Sequence, residues 1–448
     1  MPRLFPIQNA VTFGFAPSPG ETRDISKLIA PPYDLIGPTQ KAALLDAAGE
    51  NIVGIDAASV PAGDETTDDR YRDAATRLDE FLSRRVFAPH SDPCVFVLRQ
   101  TFHDHEGLVH RRGCLFGEIQ AQPFSTTEAP DGLFAHEETG AGACEDRLSL
   151  LQTTRAQTSP IFGLYSDESG AVEDRLRKLM LESRPALAGV NTDGTLHELW
   201  PVSDPAAMES LLEAFGSRAV MIADGHHRFE AARRYLDALP GAAPDDPRRR
   251  ILFGLVATQD LGMSVGAVHR LYSGVRGFSI DRFKAAANSY LHITPLGSDL
   301  RELPAAVAAE SYARSHVMGW HDFAMKRSFV LSTHEIDPLG EQYANESTNW
   351  RGLDPVIAEA LIERRILQDG MNGGRPVVRR SAYSIDDVIS AARERPQPQA
   401  ALVLAPTPLD EVVKVATTGR RLPVDSTFFW PKLASGLVLK LFGDPQSR

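Results

Sequence analysis

The sequence predicts a mixed α/β protein of two or three domains. Three observations carry that expectation. Short apolar runs alternate with amphipathic helical stretches along the whole chain. A central strand–turn–helix junction holds the pentapeptide Asp224-Gly225-His226-His227-Arg228. The length, 448 residues, exceeds what one hydrophobic core usually fills. A net charge of −12 argues against general nucleic-acid binding, which needs a basic face to displace counterions. Cys94, Cys114 and Cys144 are odd in number and far apart, with neither a disulfide framework nor metal-ligand spacing, so a reducing cytoplasm fits. The first residues lack the apolar core of a signal peptide. The strongest apolar run, at 251–257, is far too short to span a bilayer.

Taken in order, Ala30-Pro31-Pro32-Tyr33-Asp34 reads as a rigid, extended corner, because each proline restricts itself and the residue before it. It serves as a structural corner or presents Tyr33 or Asp34 to a site. Helices follow at 40–48 and 73–85, the latter with Ala74, Leu78, Phe81 and Leu82 on one face. Residues 94–102 and 108–119 read as a hairpin with a polar tip. The tip's His103, His105 and nearby His110 read as solvated rather than as a metal cluster. Ala135-His136-Glu137-Glu138-Thr139-Gly140 is a polar run leading into a helix that ends near residue 157. Its adjacent carboxylates beside a histidine suit general-base work or magnesium binding, or equally an exposed loop or helix start. Strands are expected at 159–165, 196–200 and 251–258, and helices at 172–182 and 211–215. A new unit begins near Phe278, with helices at 280–287, 303–312 and 353–367 and strands at 328–332 and 400–405. Asp354 is placed to cap the 353–367 helix and Ser384 to start another.

The central motif follows the apolar run 219–223 and precedes a helix with Phe229, Ala232, Tyr235 and Leu236 on one face. Glu230 is spaced to pair with Arg234. Free backbone N–H groups and the positive end of the helix dipole converge at the glycine turn and favour an anion. Arg228 adds a forked cation suited to phosphate oxygens. The bland alternative is that Asp224 caps the helix, with one histidine packed and the other solvated.

Together, Ala30–Asp34, His136-Glu137, Asp146-Arg147-Leu148, Ser159-Pro160-Ile161-Phe162, the Asp224 motif with its flanks, His269-Arg270 and Ser426-Thr427-Phe428-Phe429-Trp430-Pro431-Lys432 resemble a bacterial and archaeal family, domain of unknown function 1015. Two departures stand out. Pro423-Val424-Asp425 stands where the family pattern has a Gln-Lys pair before the serine, and Val268 precedes His269 where it has Pro-Thr. The middle part is similar to free serine kinases of the ParB/sulfiredoxin-like fold. That resemblance implies a ParB/sulfiredoxin-like nucleotide-binding core at 111–275, with an N-terminal α/β segment at 1–110 and a C-terminal α+β region at 276–448. It implies Glu137 as catalytic base, with Glu138 as the second candidate. It places Asp224, Gly225, His226, His227, Arg228, Arg270 and Lys432 around the phosphates of ATP or ADP, with Asp224 towards Mg²⁺. His136, His269, Tyr33, Asp34, Ser426 and Thr427 are further candidates. The expected partners are a nucleotide and a small-molecule substrate, with no membrane and no nucleic acid. Two alternatives stay open: a ParB-type nucleotide-binding regulator without metabolic activity, and a metal-dependent hydrolase built on His226, His227, Asp224 and His136.

Overall fold

The computed structural model describes residues 1–14, 20–60, 67–104, 107–126, 132–239, 241–243 and 245–442. They form a mixed α/β protein that divides into two compact units, neither continuous in sequence. Unit 1 comprises Met1–Ala135, Thr139–Met263 and Pro431–Arg448, and unit 2 comprises His136–Glu138 and Ser264–Trp430. No helix among the described residues is long and apolar enough to cross a membrane.

Unit 1 is built on a ten-stranded mixed sheet. Val95–His103 and Val109–Gln120 form the expected antiparallel hairpin, with Phe96 opposite Phe116. His105 lies outside the described residues, and His110 Nε2 meets Asp104 Oδ2 at 2.7 Å. Arg250–Ala257 runs antiparallel to Val109–Gln120 on one side and parallel to Ile161–Tyr165 on the other. Val220–Asp224 comes next, antiparallel to Ile161–Tyr165 and parallel to Leu133–Ala135. Every residue of Val220–Asp224 is buried, which is why it reads as an unbroken apolar run up to its acidic end. Phe253, Leu255, Ile222 and Phe229 share one core, and full burial of each is worth about 1.5–3 kcal/mol. The end of the chain returns to this unit: Leu439–Leu441 pairs with Ala10–Phe13 and with Ala156–Gln157. Gly254 permits the return, since a Cβ there would lie 2.5 Å from a Leu433 methyl and 2.7 Å from the Phe116 ring.

Unit 2 carries a six-stranded antiparallel sheet in the order Leu291–Pro295, Arg327–Thr333, Met318–Asp322, Ala400–Val403, His269–Ser273, Val378–Ala382. Leu271, Ala382, Ala401 and Val403 join Leu303, Val388 and Ala391 in a small core. The strand period of two sends Arg270 and Tyr272 to the opposite face. There Phe283 stacks on Trp320 with ring centroids 4.1 Å apart.

The three cysteines are buried and unpaired. Several local expectations need correction. The segment after Pro32 is not extended throughout, because Tyr33–Leu35 winds into a single 3₁₀ turn. Glu230 bonds Arg233 instead of Arg234, and Arg234 reaches Glu145, because Arg233 lets the fork close on both Glu230 oxygens. Asp354 makes no side-chain cap. Its carboxylate meets His316 Nδ1 at 3.0 Å instead. The helix that follows, Ala358–Met371, is widened into π geometry, which periodicity read at 3.6 does not reveal. Ser384 starts its helix as expected, and its side chain caps it by accepting from the Asp387 amide.

Candidate functional site

In unit 1 the strand Val220–Asp224 ends in the turn residue Gly225, and helix His226–Asp237 begins at once. Gly225 has φ +90°, the left-handed region that glycine tolerates. It is the N-cap residue, so Asp224 does not hold the cap position, and glycine supplies no side-chain cap there. The first-turn N–H groups and the positive end of the helix dipole lie at this turn.

Asp224 is instead the counter-ion of two cations. Its Oδ1 accepts from Lys432 and its Oδ2 from Arg228. Burial by itself would raise the Asp224 pKa, but Lys432 and Arg228 outweigh it and hold the carboxyl below its ordinary value. Lys432 shows the mirror image: burial opposes its charge, and Asp224 and Asp34 raise its pKa nonetheless. Asp34 is pushed up, first by desolvation and then by the negative charge of Asp224. Arg228 also donates to Ser159 Oγ at 3.1 Å and to the Pro160 carbonyl at 2.6 Å, so the Ser-Pro motif fixes its fork. Lys432 is set in place through its own backbone. Gln100 Nε2 donates to its carbonyl at 3.1 Å, and Arg112 donates to the Pro431 carbonyl.

A second arginine extends the cluster. Arg147 lies 3.7 Å over the Tyr33 ring, donates to Asp146 Oδ2 at 2.7 Å and to the Asp56 carbonyl at 2.6 Å. Asp56, only 2% exposed, accepts hydroxyl bonds from Thr158 and Ser435, both at 2.5 Å. Asp56, Arg147, Thr158, Ser159 and Arg228 line a cavity of about 30 Å³. Sequence reasoning named Asp146-Arg147 and Ser159 only as motif matches and passed over Asp56. A lone acid inside the apolar run 52–58 was the available signal. His227 Nε2 accepts from the Gly140 amide at 2.9 Å, which puts the ring proton on Nδ1.

The other predicted residues lie in unit 2. Glu137 Oε1 accepts from the Ser426 amide at 3.1 Å, the Thr427 amide at 2.9 Å and the Thr427 hydroxyl at 2.7 Å. Its Oε2 accepts from the Asp425 amide at 3.2 Å. His136 is fully buried, with Nε2 2.7 Å from Thr427 Oγ1. Because that hydroxyl gives its proton to Glu137, it accepts from His136. Ser426 Oγ donates to the Pro423 carbonyl at 2.6 Å. Glu138 is exposed. Arg270 and His269 stand apart from this group. Arg270 is 1% exposed and donates to the Pro355 carbonyl at 2.9 Å. Burial pushes His269 down to about 4, and its Nδ1 accepts from the Leu404 amide at 3.3 Å.

Within unit 1 the fold thus gathers Tyr33, Asp34, Asp224, Gly225, His226, His227, Arg228 and Lys432. Within unit 2 it gathers His136, Glu137, Ser426 and Thr427. Among the described residues no group of three or more His, Cys, Asp or Glu side chains is placed to hold a metal ion. Both Asp224 oxygens already accept from cations, so the residues do not fit a resident Mg²⁺, which takes free carboxylate oxygens. The arrangement presents preorganised cations beside an uncapped helix start, which suits charge neutralisation of an oxyanion.

The chain belongs to the family described as "Protein of unknown function (DUF1015)", whose model matches residues 15–355. No curated protein matches it. Among solved structures it is similar to a mutant free serine kinase in complex with AMP, at 10% identity and a TM-score of 0.34, over 70% of this chain and 87% of that one. It is similar to a conserved hypothetical protein from Pyrococcus furiosus, at 12% identity and 0.33, over 72% and 93%. It is also similar to C-terminally truncated SbnI from Staphylococcus aureus, at 12% and 0.32, over 71% and 87%.

Proposed function

We propose that this member of the DUF1015 family is a small-molecule phosphotransferase that moves a nucleotide phosphate onto a hydroxyl, with free L-serine as the acceptor read from its motif order. The observation that carries this is the junction of Val220–Asp224 with helix His226–Asp237, where Arg228 and Lys432 flank an uncapped helix start. Phosphoryl transfer asks a protein for positioning and charge neutralisation more than for covalent chemistry. The helix N–H groups would hold phosphate oxygens, and Arg228 and Lys432 would offset their charge. Asp224 keeps both cations extended towards the turn. ATP or ADP would be the donor, and a ParB/sulfiredoxin-like core at 111–275 would carry the site.

Glu137 is the proposed acceptor of the hydroxyl proton, a role taken from the motif order. Help of this kind contributes about 10²–10⁴-fold. The bonds Glu137 receives from residues 425–427 also support a second reading, in which it anchors that turn. Phosphorus NMR of the purified chain with Mg²⁺, ATP or ADP and hydroxyl amino acids tests both. A phosphomonoester signal that disappears in Glu137→Gln at unchanged melting temperature supports the base. A signal that persists sinks that role, and a lowered melting temperature marks the anchor. Nucleotide binding without product from the wild type would overturn the phosphotransferase and favour the regulatory alternative.

A further inference from the structure

Unit 1 holds a second cleft, of about 450 Å³, whose lining shares only Arg112 with the residues above. Strands Val95–His103 and Val109–Gln120 form its floor, helix Ala171–Glu182 one wall, and the turn at 259–261 the other. Its volume falls in the range of about 300–1,000 Å³ typical of small-molecule sites.

Four arginines line it, and they are not equivalent. Arg99 is closed bidentately on Glu198, at 2.7 and 2.8 Å. Arg112 is buried and holds Gln100 and Pro431. The Arg111 side chain, by contrast, makes no hydrogen bond or ion pair among the described residues, while its backbone sits in the strand ladder. Arg177 comes only within 3.8 Å of Glu173 and 3.6 Å of Asp174, beyond hydrogen-bond reach. Two forked cations of one cleft therefore keep unused donors, in a chain whose net charge is −12. Of the two lining carboxylates, Asp260 is already satisfied by backbone, accepting from the Gly113 amide at 2.9 Å and the Gly262 amide at 2.7 Å.

The apolar part of the lining is equally specific. Leu261 is 95% exposed and Leu181 is 79% exposed, and both line this cleft together with Met180. Large aliphatic side chains left open on both walls, above two guanidinium forks with unused hydrogen-bond donors, describe a complement. We propose that this cleft binds a free small-molecule anion with an apolar body: a carboxylate or phosphate held by Arg111 and Arg177, its hydrocarbon part lying against Met180, Leu181 and Leu261. The proposal is independent of the phosphotransferase reading, since Arg111, Arg177, Met180, Leu181 and Leu261 take no part in the Asp224 cluster.

Isothermal titration of the full chain with octyl phosphate and octanoate tests it, with octanol and inorganic phosphate as single-feature probes. The expected result is saturable binding of one octyl anion per chain, with octanol and phosphate at least tenfold weaker. Arg111→Ala should weaken octyl phosphate at least tenfold, because a fork to a charged oxygen pair is among the stronger hydrogen bonds. Leu261→Ser should weaken octyl phosphate but leave inorganic phosphate unchanged. Both positions are exposed, so folding is not at stake, and unchanged melting temperatures confirm that. Absence of saturable binding by either octyl anion overturns the proposal, as does binding that Arg111→Ala leaves intact. Binding to anionic phospholipid vesicles without binding of free octyl phosphate also overturns it, in favour of a membrane surface.

Discussion

Asp224→Asn is the sharpest perturbation of the unit 1 cluster. The side chains of Asp224, Arg228 and Lys432 are 11%, 8% and 11% exposed, so water screens them little. Neutralising Asp224 leaves two adjacent cations buried with Asp34 as the remaining nearby anion. Breaking a buried pair by removing one partner costs about 3–5 kcal/mol. Lys432→Met is milder, because Asp224 keeps Arg228. It should cost about 1.5–3 kcal/mol, the range of a hydrogen bond to a charged group. The double variant should fall short of the sum by about 1–3 kcal/mol, since the Asp224 charge that Lys432 pairs with is already gone in the single variant. Native-state hydrogen exchange in Val220–Asp224 and His226–Asp237 reads unit 1 without assuming a single transition for the whole chain. The pH window follows from the signs. The depressed Asp224 contributes stability above its ordinary value, and loses it as pH falls through the folded value. The raised Lys432 contributes below its ordinary value, and loses it as pH rises through the folded one. Between about pH 5 and 9 the wild-type contribution of the pair should be flat. A cost below about 1 kcal/mol for Asp224→Asn, or an additive double variant, would refute the claim that these charges form one buried unit.

Gly225→Ala should destabilise unit 1 by about 1–2 kcal/mol, because the left-handed turn penalises a Cβ. The new methyl would also lie 3.1 Å from the Arg228 guanidinium, so a melting temperature equal to wild type would contradict the turn geometry. His316 is raised because its bonds to Asp354 and the Ile336 carbonyl outweigh burial. Its stabilisation of unit 2 should be complete below about pH 6.5 and fade as pH rises through the folded value. Asp354→Asn should flatten that pH profile in thermal melts, and an unchanged profile would remove the pair from the account.

Much of the local structure was legible in the chain. The run 219–223, the glycine and the apolar face of Phe229, Ala232 and Leu236 specify strand, turn and helix by short-range sterics and periodicity, and the structure has them within a residue or two. Ser384 could be read as a helix start for the same reason, because helix initiation is a local contest for backbone amides. Local reasoning failed where one side chain had two possible partners. Asp224 and Asp354 both carried cap chemistry, and both were taken by partners beyond the cap, Lys432 and the neighbouring Arg228 for one and the distant His316 for the other. Charge–charge attraction in a dry site exceeds the worth of a cap, so tertiary placement decided. The widening of Ala358–Met371 was hidden because periodicity in a helix of this length does not report which carbonyl each amide chooses. By itself, then, the sequence determined the glycine turn, the helix start and the residue types able to meet a phosphate. Only the tertiary structure decided that Lys432, 208 residues from Asp224, becomes its ion-pair partner, and that Glu137 is held by the amides of 425–427. The reason is that pairing across such separations is set by how sheets bring chain segments together, which no local pattern encodes.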